Sequence, residues 1–201
     1  IPYLCTMKKL ITILLFLLTI TSYGQKLITI TINGVEQTVE FTPPKSEIVG
    51  TNCEAETVIF RMLNEYRKSQ DKSIIQHSKC AYETAYHHAY YLGLDGVEYS
   101  HDETVDVPGF DEIITKSERI EKYCGSGFGV ECIASINLNY NSFVVTTINL
   151  EEACKRVVDL WVASPSHKEG LLYDLDLGSV SVVMKDNGIG LVVLVLVSRE
   201  N

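Results

Sequence analysis

The chain has 201 residues, enough for one domain with a sizeable core. Hydrophobic residues make up 46% and charged ones 21%, a balance too apolar for a disordered chain. The net charge of −9 sets nucleic acid and anionic membranes aside as partners and is compatible with collecting cations.

The first residues read as a targeting segment. Met7-Lys8-Lys9 is a positive start, and Leu10 to Ile20 is an apolar run broken only by two threonines. Ser22-Tyr23-Gly24 then places small residues at −3 and −1 ahead of Gln25, the layout of a secretory signal peptide cleaved after Gly24. The run is shorter than the roughly 20 residues that span a bilayer. The mature protein is therefore expected to be secreted or periplasmic, with no transmembrane anchor after cleavage. Removing residues 1–24 takes away Lys8 and Lys9 and no acid, which moves the charge from −9 to −11. Residues 1–6 precede the start methionine and stand outside the fold reasoning.

Residues 25–50 are expected to form a β-hairpin and linker ahead of a main domain at 51–201. Leu27, Ile28, Ile30 and Ile32, then Asn33-Gly34, then Val35, Val39 and Phe41 make the strongest short hairpin signal in the chain. Thr42-Pro43-Pro44-Lys45-Ser46 is the linker. Thr51 with Glu54 predicts a capped helix start, and Val58, Ile59, Met62, Leu63 and Tyr66 form its apolar face. Ser78 caps a second helix running to about Leu92, with Gly93 as its stop. Its alanines, Ala81, Ala85 and Ala89, predict close packing.

Gly93 to Gly109 reads as irregular and acidic. A third helix is predicted over Asp111 to Lys122, with Ile113, Ile114, Ser117 and Ile120 inward. The glycines of Cys124-Gly125-Ser126-Gly127-Phe128-Gly129 lack a preceding strand and a Lys-Ser/Thr ending, which argues against a phosphate loop. Asn149 with Glu152 predicts another helix start. The helix behind it buries Val157, Val158 and Trp161 and cannot pass normally through Pro165. Two strands close the chain, Gly178 to Lys185 and Leu191 to Val197, around Asp186-Asn187-Gly188. Helices first and a sheet last predict an α+β fold with helices covering the sheet.

Six cysteines are present, with Cys5 in the leader. The remaining five, Cys53, Cys80, Cys124, Cys132 and Cys154, are an odd number, so at least one is free or paired between chains. Cys124 and Cys132 flank the glycine-rich loop and form one candidate pair. Buried reduced thiols are an equal alternative.

Five histidines carry most of the candidate chemistry. His77 reads as a solvated side chain. His87 and His88 are adjacent on a helix, so their side chains diverge by about 100° and cannot share one ion. His88, on the alanine face, reads as a hydrogen-bonded core histidine. His101 and His167 each fall in a loop beside a predicted helix end. Local spacing does not link them.

A family resemblance does. Trp161-x-x-Ser164-Pro165-x-His167, followed by Leu171-Leu172, resembles the signature of the CAP superfamily (SCP/TAPS), which includes cysteine-rich secretory proteins, venom antigen 5, pathogenesis-related proteins and many bacterial members. In the same order, Leu63-Asn64-x-x-Arg67, Ala85-x-x-His88-Ala89, Tyr99-Ser100-His101 and Glu131-x-Ile133-Ala134 resemble its other motifs, and the final hairpin matches its closing strands. The resemblance covers about residues 54–198. It implies a three-layer α-β-α sandwich with a large cleft. It also implies a divalent metal site of His101, Glu131 and His167, a donor set that suits zinc or a similar ion.

Two positions depart from the pattern. Ser164 stands where many members carry a second acid, which implies an incomplete tetrad open to water. Cys132 stands where an asparagine is usual, and a disulfide or buried thiol is favoured there over a ligand. The functional expectation is a secreted binding module holding a divalent cation and a small apolar ligand or a cell-surface component. A metal-assisted hydrolase is the weaker alternative. Ser164 and Ser166 do not sit in a nucleophile-elbow sequence. An interaction module using only the N-terminal hairpin is the third reading.

Overall fold

A computed structural model describes residues 46–105, 107, 110, 114–125, 128–138 and 149–198, together with two strands at 26–32 and 35–41. The predicted signal peptide, Cys5 and the Asn33-Gly34 turn lie outside the described residues. The chain divides into two units, residues 1–45 and 46–201. In the first, β1 (Lys26–Ile32) and β2 (Val35–Phe41) pair antiparallel, with Ile28 opposite Val39 and Ile32 opposite Val35.

The second unit holds β3 (Ile48–Thr51), α1 (Cys53–Ser69), β4 (Gln76–His77), α2 (Lys79–Gly93), α3 (Lys116–Cys124), β5 (Gly129–Asn137), α4 (Leu150–Ala163), α5 (Pro165–Leu171), β6 (Leu177–Lys185) and β7 (Ile189–Val197). The sheet runs β3-β6-β7-β5, with β4 added parallel to β6. The other pairings are antiparallel.

Strand β7 shows why the unit has three layers. Its side chains alternate between faces, as strand geometry requires. Val192, Leu194 and Leu196 pack in one core with α1 and α4 residues such as Ile59 and Trp161. Leu191, Val193, Val195 and Val197 pack in the other with Ala81, Ala85 and Ala89 of α2 and Ile120 of α3. A strand covered on both faces has no polar side, hence the unbroken apolar run. This is the expected α-β-α sandwich. Gly188, at φ +78°, allows the turn between β6 and β7.

The helices are fixed by local chemistry, with some changes from the sequence expectation. Helix α1 is capped by Asn52, whose Oδ1 accepts from Ala55 N at 3.0 Å, and not by Thr51, which belongs to β3. Its buried face is Ala55, Ile59, Leu63 and Arg67, one residue every four. Ser78 caps α2 as expected. Asn149 caps α4, accepting from Glu151 N and Glu152 N.

Helix α3 starts at Lys116, not Asp111. Thr115 and Glu118 form a reciprocal capping box there, and Ile114 is bridged to Glu103 instead. The inward residues of α3 are Arg119 and Ile120, while Ser117 is exposed. Residues 129–137, passed over as a strand in the sequence, form edge strand β5.

The disulfide joins Cys80 to Cys124, fastening the start of α2 to the end of α3. This corrects the candidate Cys124–Cys132 pair, and for Cys132 the equal alternative of a buried thiol holds. Cys132 lies on β5, its side chain in the core with α1 and α4, away from α3. Cys132 and Cys154 are buried free thiols, and Cys53 is an exposed one.

Candidate functional site

The helix carrying Trp161 ends as expected, but the chain continues there into a second helix and not a loop. Ser164 closes α4 and Pro165 takes the first position of α5, where its missing N–H costs nothing. His167 therefore sits on the first turn of α5. Two features hold α5 in place. Gly170 lies so close to β5 that an added Cβ would stand 2.8 Å from Val130 Cγ1. Arg67, fully buried, donates to the carbonyls of Ser73, Leu171, Tyr173 and Leu175, tying α1 to the end of α5 and the turn beyond it. Burial holds its guanidinium below the usual arginine value.

His101 comes from the segment after α2, and Glu131 from β5. Side chains at 130 and 132 face the α1/α4 core, so alternation turns Glu131 to the opposite face. The structure brings the three expected residues together. His101 Nδ1 lies 2.9 Å from Glu131 Oε1. The rings of His101 and His167 are 6.3 Å apart, centroid to centroid, tilted by 57°.

Two hollows share His167 as a wall. One, of about 390 Å³, is lined by His101, Glu131, Lys116, Ser117 and Ser166, with Phe128 and Tyr173 beside them. The other, of about 350 Å³, is mostly apolar, lined by Tyr99, Ile133, Ala134, Leu160 and Trp161. Trp161 donates its Nε1–H to Ile133 O at 3.0 Å, which satisfies its polar atom and fixes its ring against β5.

Behind His101 lies a buried charged cluster that the sequence reading missed. Arg119 Nη2 donates to Glu131 Oε2 and to His101 O, both at 2.8 Å, and its Nη1 donates to Glu103 Oε1 at 3.1 Å. Glu103 Oε1 also faces His87 Nδ1 at 3.2 Å and His88 Nδ1 at 3.1 Å. His88 Nε2 lies 2.9 Å from Ser100 O. His88 is thus the hydrogen-bonded core histidine its alanine-rich face implied. Glu103, Arg119, Glu131 and His88 are all buried. Glu103 gave no signal because it falls in an irregular acidic stretch. Arg119 gave none because its helix is otherwise charged, and in the sequence it looks like Glu118 and Glu121 on either side of it.

The environment sets the charge of each group. Burial alone would raise Glu103, but the donors His87, His88 and Arg119 outweigh it and hold the carboxyl at about 2. Burial likewise opposes ionisation of Glu131, yet His101, His88 and Arg119 hold it below the usual carboxylate value. Burial, and then the neighbouring His101, lower His167, which keeps its lone pair available. Burial and Glu131 push the Cys132 thiol up to about 12, far from the thiolate a metal requires.

The donor set can be tested against a metal. Two imidazoles on one tetrahedral zinc place their centroids about 5 Å apart, so these rings need to close by about 1 Å. Glu131, which the resemblance implied as a third ligand, meets His101 with one oxygen and Arg119 with the other. Among the described residues, no three His, Cys, Asp or Glu side chains gather closely enough to hold one ion. The groups lining the larger hollow that could hold an ion are the imidazoles of His101 and His167, with the Glu131 carboxylate on Nδ1 of His101. The hydroxyls of Ser164 and Ser166 pair with each other at 3.3 Å.

The order of elements, the α-β-α layers and the cleft beside the Trp161 helix are those of a CAP-type, or SCP, fold. The structure is similar to that of an outer surface protein of Borrelia burgdorferi, with a TM-score of 0.58 and 24% identity over 77% of this chain and 100% of the other. It is also similar to an extracellular protein containing a SCP domain from Bacillus anthracis, with a TM-score of 0.52 and 17% identity over 82% of this chain and 47% of the other. At these identities the likeness is one of fold. No protein-family model and no curated protein sequence matches the chain. Among the described residues, no helix is long and apolar enough to cross a membrane.

Proposed function

We propose that the protein is an exported CAP-type binding module whose cleft holds a divalent cation, zinc or a similar ion, between His101 and His167. The observation that carries this reading is the pair of imidazoles facing one hollow at 6.3 Å, with Glu131 on the Nδ1 of His101. Glu131 acts from behind, orienting the His101 ring and raising its basicity. A bound ion would offer its open positions to a ligand atom.

The ligand is a small apolar molecule, or an apolar group of a cell-surface component, seated in the hollow beside Trp161. Ile133, Ala134, Leu160 and Trp161 supply apolar wall there, and His167 connects that hollow to the cation. Export rests on the Met7 to Gly24 segment and agrees with the extracellular and surface settings named for the two similar structures.

The test is metal content. Protein purified without chelator, beside a His101→Ala/His167→Ala variant, is expected to carry metal only in its unmutated form. Equal metal in both overturns the cation site. For the ligand, the single tryptophan is an internal probe: apolar ligands should change Trp161 fluorescence, and Leu160→Asp should abolish the change.

A further inference from the structure

We infer that Arg119 is the positioning residue of the cleft: it holds Glu131 and the main chain of His101 together, and so fixes His101 as the Nδ1–H tautomer with the lone pair on Nε2. Its function goes beyond the cation reading, and rests on it only where ligand affinity is concerned.

The geometry is that of one planar fork serving three acceptors. Nη2 reaches both halves of the Glu131–His101 pair, the carboxylate at 2.8 Å and the His101 carbonyl at 2.8 Å. Nη1 takes Glu103 at 3.1 Å. The three acceptors come from β5 and from the segment after α2, while Arg119 comes from α3. The guanidinium therefore locks three segments at one point. Lysine cannot do this, because a single ammonium lacks the spread fork. The Cys80–Cys124 disulfide keeps α3 beside α2 and so keeps Arg119 in reach.

The tautomer is set by donor and acceptor counting. Glu131 Oε2 accepts from the Arg119 guanidinium at 2.8 Å, the geometry of a guanidinium–carboxylate ion pair, so Oε1 of the same carboxylate can only accept as well. The atom 2.9 Å from it, His101 Nδ1, must then donate. In the neutral ring that leaves the lone pair on Nε2, on the side away from Glu131. Unconstrained imidazole favours the opposite tautomer, so the assignment is not a default.

The measurement is a long-range 1H–15N spectrum of the histidine rings, recorded on the full chain without metal. Wild type is expected to show His101 as Nδ1–H. Folded Arg119→Lys and Arg119→Gln variants are expected to shift towards the Nε2–H form and to lose about tenfold in zinc affinity, the usual cost of removing outer-shell support. A wild-type His101 in the Nε2–H form overturns the inference whether or not either variant folds. So does a folded variant that keeps both the wild-type tautomer and the wild-type affinity. Failure of wild type to bind zinc, with the tautomer still under Arg119 control, removes the cation reading and leaves the positioning role standing.

Discussion

Glu131 faces His101 with one oxygen and Arg119 with the other, at 2.9 and 2.8 Å. This places the carboxylate in a structural frame as well as in the cleft. Glu131→Ala is expected to leave the buried Arg119 short of one counter-charge and to cost about 3–5 kcal/mol. Urea unfolding checks it. A loss below about 1 kcal/mol would show that the frame is dispensable.

Acid should unfold the protein through the same cluster. The Glu103 carboxyl is held at about 2, against an ordinary value of 4.5. A depressed folded value gives stability that is fully present above about 4.5 and lost as pH falls towards 2. Protonating Glu103 in that range removes the acceptor that His87, His88 and Arg119 share. Stability measured from pH 6 to pH 2 should fall steeply in wild type and more gently in Glu103→Gln. Parallel curves would contradict the assignment.

The Cys80–Cys124 bridge closes a loop of 44 residues. Chain entropy assigns such a closure about 4 kcal/mol. Reduction, or Cys80→Ala, should lower the urea midpoint accordingly. The same treatment of a Cys132→Ala variant should give the same drop, because Cys132 is not in the bridge.

Gly170 sets the distance between α5 and β5. Gly170→Ala would bring Cβ to 2.8 Å from Val130 Cγ1, so either α5 or Val130 must move. A loss of about 1–3 kcal/mol is expected. A Gly170→Ala/Val130→Ala double variant should recover part of it, since the clash is with that side chain. No recovery would place the strain elsewhere.

Much of this was legible in the sequence, and the gaps have physical causes. The Asn149 cap, the halt at Pro165 and the closing hairpin are local signals, so Trp161 and His167 could be placed. The order of the motifs brought His101, Glu131 and His167 together across 66 residues. Arg119 and Glu103 were invisible because each looks like one more surface charge until its helix or loop is packed. The pairing of Cys80 with Cys124 is likewise a property of how α2 and α3 lie side by side. Edge strand β5 was missed because Glu131, Cys132 and Ser135 interrupt its apolar residues, and Glu131 is buried for the sake of Arg119.

The most direct test of the cleft is calorimetric titration of zinc into the chelator-treated protein, with the His101→Ala/His167→Ala variant alongside. One site per chain is expected in the unmutated protein, with affinity lost in the variant while circular dichroism shows both folded. Equal zinc affinity in the two proteins would contradict a cation site between His101 and His167.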